Sequence, residues 1–506
     1  MANTSPVYDV IVVGAGNTAL LTALSAHEHG ARVLVLEIAP KEKRGGNAYF
    51  TTGIYRIVHN GIEDVRDLIS DLTEEERNIV IEPYTADDYF RDYSSVTENL
   101  VDPSIMELII SKSTDTIRWL VKKQKVQMEL TTFFVKRIDG KLHFVGPVPF
   151  TAKGGGAGLS DYLFDRVENM EGIDLLYETG ARNLLVDDSG KVYGVTTKSK
   201  DGLKDYTAKA VILSCGGFEA NPEWRARYLG PNWDLAKVRG GQFNMGDGIK
   251  MALEIGAQPF GNWSGCHATF VEADAPQPAI REDTEKTSKR MYIFGLCVNT
   301  LGERFVDEGY DSVENTYARY GRHALNQPER LVFQLFDAEG YKTLIEGAIF
   351  HDYVNAPYTK ADTIEELADK LGIPADTLVQ TVSEYNETAG APGGNNHWYK
   401  FSGRPEDAHT EGLELPKSSC AYPLETPPYY AYAVTCGITF TYGGLKINKR
   451  AQVLAAGDIP IKGLYASGEI VGGTFYQNYA GACGQLTGAV FATIAGENAV
   501  LDHKGE

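Results

Sequence analysis

Gly14, Gly16 and Ala19 stand at the spacing Gly-x-Gly-x-x-Ala within Tyr8-Asp-Val-Ile-Val-Val-Gly-Ala-Gly-Asn-Thr-Ala-Leu-Leu-Thr-Ala-Leu-Ser-Ala. The chemistry this suits is the binding of a dinucleotide pyrophosphate. Gly14 permits a tight turn, Gly16 lets the pyrophosphate approach the backbone at a helix N-terminus, and Ala19 allows close helix-to-strand packing. Ala15 and Asn17 belong to the same turn. Glu37 follows about 20 residues later, where an acid hydrogen-bonds the ribose hydroxyls of an adenosine. Glycine turns between strand and helix are common for structural reasons alone, and it is the acid at the next strand end that sets this one apart. The fingerprint does not choose between FAD and NAD, which share the adenosine diphosphate half.

Particular elements must position these residues. A β-branched run from Tyr8 predicts a strand, the glycines a turn, and the periodicity that follows a helix ending at Gly30, after which Ala31-Arg-Val-Leu-Val-Leu-Glu37 predicts a second strand. Three later features favour a flavin: the small-residue loop Arg44-Gly45-Gly46-Asn47-Ala-Tyr-Phe-Thr-Thr-Gly53, the strand Ala210-Val-Ile-Leu-Ser214-Cys-Gly216-Gly217-Phe218, and Gly463-Leu-Tyr-Ala-Ser-Gly468-Glu469. Gly481-Ala-Cys-Gly484-Gln485-Leu486-Thr-Gly488 then opens an apolar helix. Glycine-ended segments recurring along the chain suggest one extended cofactor lying over one sheet.

Composition narrows the class. With 48 Lys+Arg against 68 Asp+Glu the net charge is −20, which opposes nucleic-acid binding, and no Lys/Arg cluster compensates locally. The 506 residues predict roughly two to four domains. Met1 to Tyr8 lacks the features of a signal peptide and no segment has the roughly 18 apolar residues of a membrane span, so the expectation is a cytoplasmic protein without stable membrane insertion. Cys215, Cys266, Cys297, Cys420, Cys436 and Cys483 are scattered, which predicts free thiols and no metal site.

Taken together, Val-Val-Gly14-Ala-Gly16, Glu37, Arg44-Gly-Gly-Asn47, Ser214-Cys-Gly-Gly-Phe218, Met245-Gly-Asp-Gly248 and Ala466-Ser-Gly-Glu469 resemble the FAD-dependent superfamily of fumarate reductases, succinate dehydrogenase flavoproteins and 3-ketosteroid dehydrogenases, over nearly the whole chain. Within it, Arg44-Gly-Gly-Asn47, Thr426-Pro-Pro-Tyr-Tyr430, Gly437-Ile-Thr-Phe-Thr-Tyr-Gly-Gly-Leu-Lys446 and the loop around Tyr479 look most like tricarballylate dehydrogenase. The resemblance implies an α/β fold: a Rossmann-like FAD-binding domain from residues 1–262 and 426–506, and an inserted α+β capping domain, residues 263–425, that closes over the substrate. Gln277-Pro-Ala and the charged Arg281 to Arg290 stretch read as surface loop, as does Ala391 to Pro416. Thr363-Ile-Glu-Glu-Leu-Ala-Asp-Lys-Leu371 reads as an amphipathic helix stopped by Gly372.

The resemblance also implies site residues. Such enzymes move a hydride between a substrate carbon and the flavin while a side chain handles the proton on the neighbouring carbon. His267 matches the histidine that contacts the substrate carboxylate. After Gly302-Glu-Arg-Phe-Val-Asp-Glu308, where fumarate reductases carry a proton-donating arginine, the best register puts Tyr317, leaving Tyr317, Arg319 and Arg322 as candidates. Tyr479 stands where those enzymes clamp a carboxylate with arginine, and a carboxylate-binding histidine is replaced within Thr439-Phe-Thr-Tyr442. Both departures argue against simple fumarate or succinate. Arg56 and His59 are candidates for a cationic pocket. Glu469 is expected at the ribitol or ribose, Asp247 near the flavin, Gln485 and Leu486 at the flavin pyrimidine, and Ala181 against adenine. The loop at 44–53 has no histidine, so the FAD is expected to be non-covalent.

The expectation is an FAD-dependent dehydrogenase or reductase acting on a C–C bond next to a carboxylate or carbonyl, with tricarballylate-like polycarboxylates first. Alternatives are a 3-ketosteroid-like or other enone-forming enzyme, a fumarate reductase-like enoate reductase, and a non-catalytic flavin electron-transfer subunit. No iron–sulfur or haem cysteine spacing is present, so the electron acceptor is expected to be separate.

Overall fold

Tyr8–Val13 and Val33–Leu36 carry apolar side chains on both faces, which only a sheet covered on both sides can bury. In the computed structural model, which describes residues 8–283, 286–346, 353–393 and 407–504, they are adjacent parallel strands. Parallel pairing continues through five strands in the order Ile459–Ala466, Gly202–Leu213, Tyr8–Val13, Val33–Leu36 and Ile173–Leu176. Val10, Ile11 and Val12 have 0% exposure, and each such side chain contributes about 1.5–3 kcal/mol of burial. Gly202–Leu213 also extends into an antiparallel hairpin system with Val192–Ser199 and Gly180–Val186.

This sheet belongs to the first of two compact units, Met1–Pro231 with Gly240–Cys266 and Phe440–Glu506. Its helices Asn17–Glu28 and Cys483–Leu501 are apolar nearly all round because both are buried. They touch closely: Ser25 Oγ donates to the Thr493 carbonyl at 2.9 Å. The sheet ladder runs to the strand ends, with Gly14 N–H donating to Leu36, Ser214 N–H to Val13 and Ser467 N–H to Leu213. The loops that follow therefore emerge side by side at the carboxyl ends of the strands, where open α/β sheets place ligands.

The second unit, Asn232–Arg239 with His267–Thr439, is built on a mixed sheet. Its Val332–Phe336 strand pairs antiparallel with Leu296–Asn299 on one side and with Tyr429–Leu445 on the other. One core packs Leu296, Val298, Leu335, Leu367, Leu378 and Tyr385; another gathers Phe336, Tyr353, Tyr430 and Tyr432. The helix Ile364–Leu371 forms as expected, with Thr363 accepting from Glu366 N–H and Gly372 in the left-handed region at its end.

Two expectations change. The units divide within the strands Pro259–Glu272 and Tyr429–Leu445 rather than in polar linkers, so residues 426–439 and 232–239 pack with the second unit. A boundary inside a continuous strand leaves no compositional mark. The Arg281 to Arg290 stretch is not all surface loop: Ser288 bridges to Val271, and Lys289, 0% exposed, pairs with Glu272 at 2.7 Å. Residues 284–285, and 394–406 of the Ala391 to Pro416 stretch, lie outside the described residues, as does most of the Met1 to Tyr8 start. Among the described residues no helix is long and apolar enough to cross a membrane.

Gly302-Glu-Arg-Phe-Val-Asp-Glu308 proves to be a brace. Arg304 donates to Glu308 at 2.6 Å and to the Leu415 carbonyl at 2.8 Å, while Glu308 also accepts from Cys297 N–H at 2.7 Å. Glu308 is 0% exposed, so Glu308→Ala strands a buried guanidinium and an amide. The expected cost is about 3–5 kcal/mol, read as a lowered denaturation midpoint, with Glu308→Gln losing less. Equal stability of Glu308→Ala and the parent would refute this.

Candidate functional site

At the end of the first strand Gly14 has φ +103°, and a Cβ there would lie 2.5 Å from the Ser214 carbonyl. Only glycine allows these two strand ends to approach so closely. Ser214 Oγ meets Ser467 Oγ at 2.6 Å, and Thr22 Oγ1 meets Ser467 at 3.0 Å, tying the first helix to two strand ends. Glu37 accepts from Ala15 N–H at 2.8 Å and Ala39 N–H at 2.7 Å. Burial raises its carboxyl above the usual range, and those amides oppose the rise.

The helix beginning at Asn17 has neither a side-chain cap at Gly16 nor an acid in its first turn. Asn17 Oδ1 accepts from Ser160 Oγ, while its buried Nδ2 has no acceptor among the described residues. Ala19 is fully buried beneath. The long helix from Cys483 likewise starts without a side-chain cap or an acid in its first turn. Uncapped N–H groups at such termini favour anionic and electron-rich groups. Gly484 and Gln485 lie in that first turn; Gly484 N–H donates to Tyr479 Oη at 3.1 Å, Gln485 Nε2 donates to Thr51 Oγ1 at 2.8 Å, and Leu486 is buried.

Other expected residues have different company. Arg44 donates to Glu168 at 2.8 Å and to Tyr177 Oη at 3.0 Å, and covers the Phe164 ring. It thus anchors the Gly45-Gly46-Asn47 loop. Asp247 pairs with Arg182 at 3.3 Å, beside Ala181. Asp247 thus lies between the Gly180–Val186 strand and Cys215 of the Ser214–Gly217 segment.

The largest feature missed in the sequence is a polar network around Glu219, which is 0% exposed. Glu219 Oε1 accepts from the side-chain amides of Asn47 and Asn244, and Asn47 Oδ1 accepts from Gly241 N–H at 2.8 Å. Its carboxyl is hydrogen-bonded to that of Glu469, which accepts from Thr441 N–H at 2.9 Å. Burial, then the Glu469 charge, push Glu219 well above the usual carboxyl range. Burial also raises Glu469, opposed by its donors. Glycine pairs make room: a Cβ at Gly217 would lie 2.3 Å from Glu469 Oε1, one at Gly216 2.4 Å from Asn244 and one at Gly240 2.3 Å from Asn47. Gly468, with φ +83°, lies against Thr18. The sequence signal was an acid directly after Gly216-Gly217-Phe218.

Tyr479, 7% exposed, sits among aromatic rings, with centroids 5.1 Å from Phe475 and 5.5 Å from Phe440. Arg56, 3% exposed, donates to the Gly481 carbonyl and to Tyr84 Oη, each at 2.8 Å, and pairs with Asp92 at 3.4 Å. It thus braces the loop that follows Tyr479. Burial lowers His59 to about 4, so it is uncharged at neutral pH. The cationic pocket expected from Arg56 and His59 is not formed: one is committed to protein acceptors and the other is neutral.

The second unit holds its own cluster. Gly321, where a Cβ would lie 2.4 Å from the Thr269 carbonyl, lets the helix Val313–Leu325 press on the strand carrying His267. His267 and Tyr317 meet edge to face with centroids 5.0 Å apart, and the Arg290 guanidinium lies 5.8 Å from the Tyr317 ring. Arg239 donates to Ser288 Oγ at 2.8 Å and Thr439 Oγ1 at 2.9 Å. Burial, then the charges of Arg239 and Arg290, hold His267 well below the usual imidazole range, hence neutral. Arg319 and Tyr317 are two residues and so roughly 200° apart around their helix. Arg319 accordingly faces the Tyr310 ring, at 5.6 Å, and burial, then the charges of Arg319 and Arg322, hold the His323 imidazole below the usual range. Tyr317 is thus the helix candidate whose ring meets His267, while Arg239 and Arg290 carry no local sequence signal.

The sequence matches the FAD binding domain family over residues 9–486. It is similar to the probable fumarate reductase Ifc3 of Shewanella frigidimarina, 29% identical over 98% of this chain and 76% of that protein. It is also similar to the urocanate reductase of Eggerthella lenta, 27% identical over 97% of this chain and 74% of that one. Among solved structures, the open conformation of a flavocytochrome c3 fumarate reductase superposes with TM-score 0.72 at 26% identity, over 99% of this chain and 79% of that one. The uncapped helix at Gly16, the unpartnered Asn17 amide and the close-packed glycines fit an FAD. The chain belongs to the FAD binding domain family and is an FAD-dependent oxidoreductase.

Proposed function

We propose that this enzyme interconverts a C–C single and double bond next to a carboxylate, on a substrate with one acidic group and a flat or apolar body. The observation that carries the reading is the buried cluster of Arg239, Arg290, neutral His267 and Tyr317. Two guanidinium groups out of water are suited to an anion, since charge-assisted hydrogen bonds are strongest where water is excluded. The fumarate and urocanate reductases to which the chain is similar are named for unsaturated acids, which agrees.

FAD, held through Gly14, Gly16, Glu37, the Gly45-Gly46-Asn47 loop, Gly216, Gly217, Glu469 and the Gly484–Leu486 turn, supplies or accepts the hydride and its electron pair. The absence of histidine in residues 44–53 supports non-covalent attachment. Tyr479 is the proton-transfer group: its oxygen accepts the Gly484 amide, which stabilises the phenolate left when the proton moves. Arg239, Arg290 and His267 hold the carboxylate and draw electron density from the double bond, and Tyr317 orients the imidazole. Electrons pass to or from a separate redox partner.

A tricarballylate-like polycarboxylate would be favoured by a cationic pocket to which Arg56 and His59 contribute. Their engagement elsewhere favours a single acidic group, and the Phe440, Phe475 and Tyr479 rings favour a flat body. The same rings keep an enone-forming activity on ketones as the second reading.

Two measurements test this. Photoreduced enzyme, free of oxygen, is mixed with fumarate, urocanate, aryl-substituted enoic acids and enones, and oxidised enzyme with tricarballylate, succinate and saturated ketosteroids. Selective return of the flavin absorbance with ring-bearing enoic acids is expected; a response to tricarballylate alone, or to ketones alone, would overturn the proposed substrate. With the preferred acid, Tyr479→Phe should lower kcat about 10²–10⁴-fold at unchanged FAD content. Arg290→Gln should raise KM for the acid about 10-fold or more. Unchanged kinetics in either variant would remove that residue from its role.

A further inference from the structure

Glu219 is a buried acid that the proposed reaction does not use, and its surroundings decide its protonation state. One oxygen, Oε1, is occupied by two side-chain amide donors, from Asn47 and Asn244. The other, Oε2, is buried and meets no donor group among the described residues. Beside Glu219 lies the carboxyl of Glu469, which already accepts from Thr441 N–H and from the Gly217 backbone. Two carboxylates in hydrogen-bond contact need a proton between them, because like charges at that distance out of water repel strongly. Glu469 accepts from the backbone N–H groups of Thr441 and Gly217, and Glu219 from two side-chain amides and its own backbone N–H; what separates them is burial, Glu219 being 0% exposed and Glu469 part-buried, so the anion is costlier on Glu219. The proton therefore belongs on Glu219.

We propose that Glu219 is held as a neutral carboxylic acid that donates to Glu469 and, through Oε1, fixes Asn47, making it the positioning residue that joins two of the loops assigned above to FAD. This rests on the reading that those loops hold the cofactor. Asn47 follows Gly45 and Gly46, and Glu469 follows Gly468, so one protonated acid sets the spacing between loops far apart in sequence. The close packing on Gly216, Gly217 and Gly240 shows that the fold keeps room for this network at three glycine positions.

Ionisation has a defined sign. A carboxyl that keeps its proton in the folded state and loses it in the unfolded chain contributes stability that is complete below the unfolded value of 4.5 and falls as pH rises toward the folded value. The charged or titratable group facing Glu219 is Glu469; Asn47, Asn244 and Thr441 are neutral.

The test compares the full-length parent with Glu219→Gln, Glu219→Ala and Glu469→Gln in three readouts independent of turnover. The first is the infrared carbonyl stretch of a protonated carboxylic acid, expected in the parent and lost in Glu219→Gln. The second is apoprotein unfolding between pH 5 and 8. There the parent should lose stability with rising pH relative to Glu219→Gln, by up to tenfold in the unfolding equilibrium per pH unit. The third is FAD titration of the apoprotein. Glu219→Gln, which has the same shape and can donate to Glu469, should bind within about threefold of the parent, and Glu219→Ala at least tenfold more weakly.

A protonated-acid band that survives Glu219→Gln but is lost in Glu469→Gln would put the proton on Glu469 and overturn the assignment. Glu219→Gln as damaging to FAD binding as Glu219→Ala would also overturn it, as would unaltered FAD binding in Glu219→Ala. If Glu219→Ala does not fold, the Glu219→Gln infrared and pH results still decide. None of these readouts depends on the substrate, so failure of the proposed reaction and failure of this inference are separable.

Discussion

The site in the first unit depends on one close approach, that of the Ser214 carbonyl to Gly14 at the ends of neighbouring parallel strands. With room there for hydrogen only, the two strands stay paired to their last residues and their loops leave the sheet together. The Ser214–Ser467 hydroxyl contact then brings in the third strand end. From this follow the placement of Glu37 beside the first turn, of Glu219 after Gly216-Gly217-Phe218, and of Glu469 after Gly468. A side chain at Gly14 would separate the first two strand ends and dissolve the geometry of all three loops, whatever else the sheet retained.

Buried charge is handled differently in each place it occurs, and the differences separate structural from chemical roles. Arg304 and Glu308 satisfy each other and two backbone groups, leaving nothing for a ligand. Arg56 is taken up by a carbonyl, a phenol and Asp92. Removing one partner from such a set is costly because the other remains out of water. Glu219 takes the remaining route, neutrality, which makes a buried carboxyl a hydrogen-bond donor rather than a charge. Arg239 and Arg290 lie near an imidazole that burial, and then their charges, keep uncharged. In the proposed reaction this is the cluster that an arriving carboxylate meets.

What could be read from the sequence was what repeats a local rule. The strand, glycine turn, helix and acid at Tyr8 to Glu37 follow from chain-local sterics, and so does the helix after Thr363. The unit boundaries were harder, because Pro259–Glu272 and Tyr429–Leu445 run through them as uninterrupted strands. Arg56, Arg44 and Asp247 look like any polar residue near a motif; only the fold shows that their partners are Tyr84, Glu168 and Arg182. Arg239, Arg290 and Glu219 were missed for the converse reason. Their partners are up to 250 residues away in sequence, as in Glu219 with Glu469, and no local pattern marks such a meeting.

Tyr479, where the resemblance implies an arginine, and the segment Thr439-Phe-Thr-Tyr442, where it implies a histidine, change the balance of forces around the substrate in the proposed reaction. A cation binds a carboxylate wherever one is presented, and so accepts small diacids readily. A phenol in a cage of rings favours contact area and penalises a second carboxylate, which would lose its hydration without a partner. The cationic character of the second unit remains, concentrated at Arg239 and Arg290. Selectivity between a compact diacid and a ring-bearing acid then follows from desolvation, since the same carboxylate contact is made by both and only the second group differs.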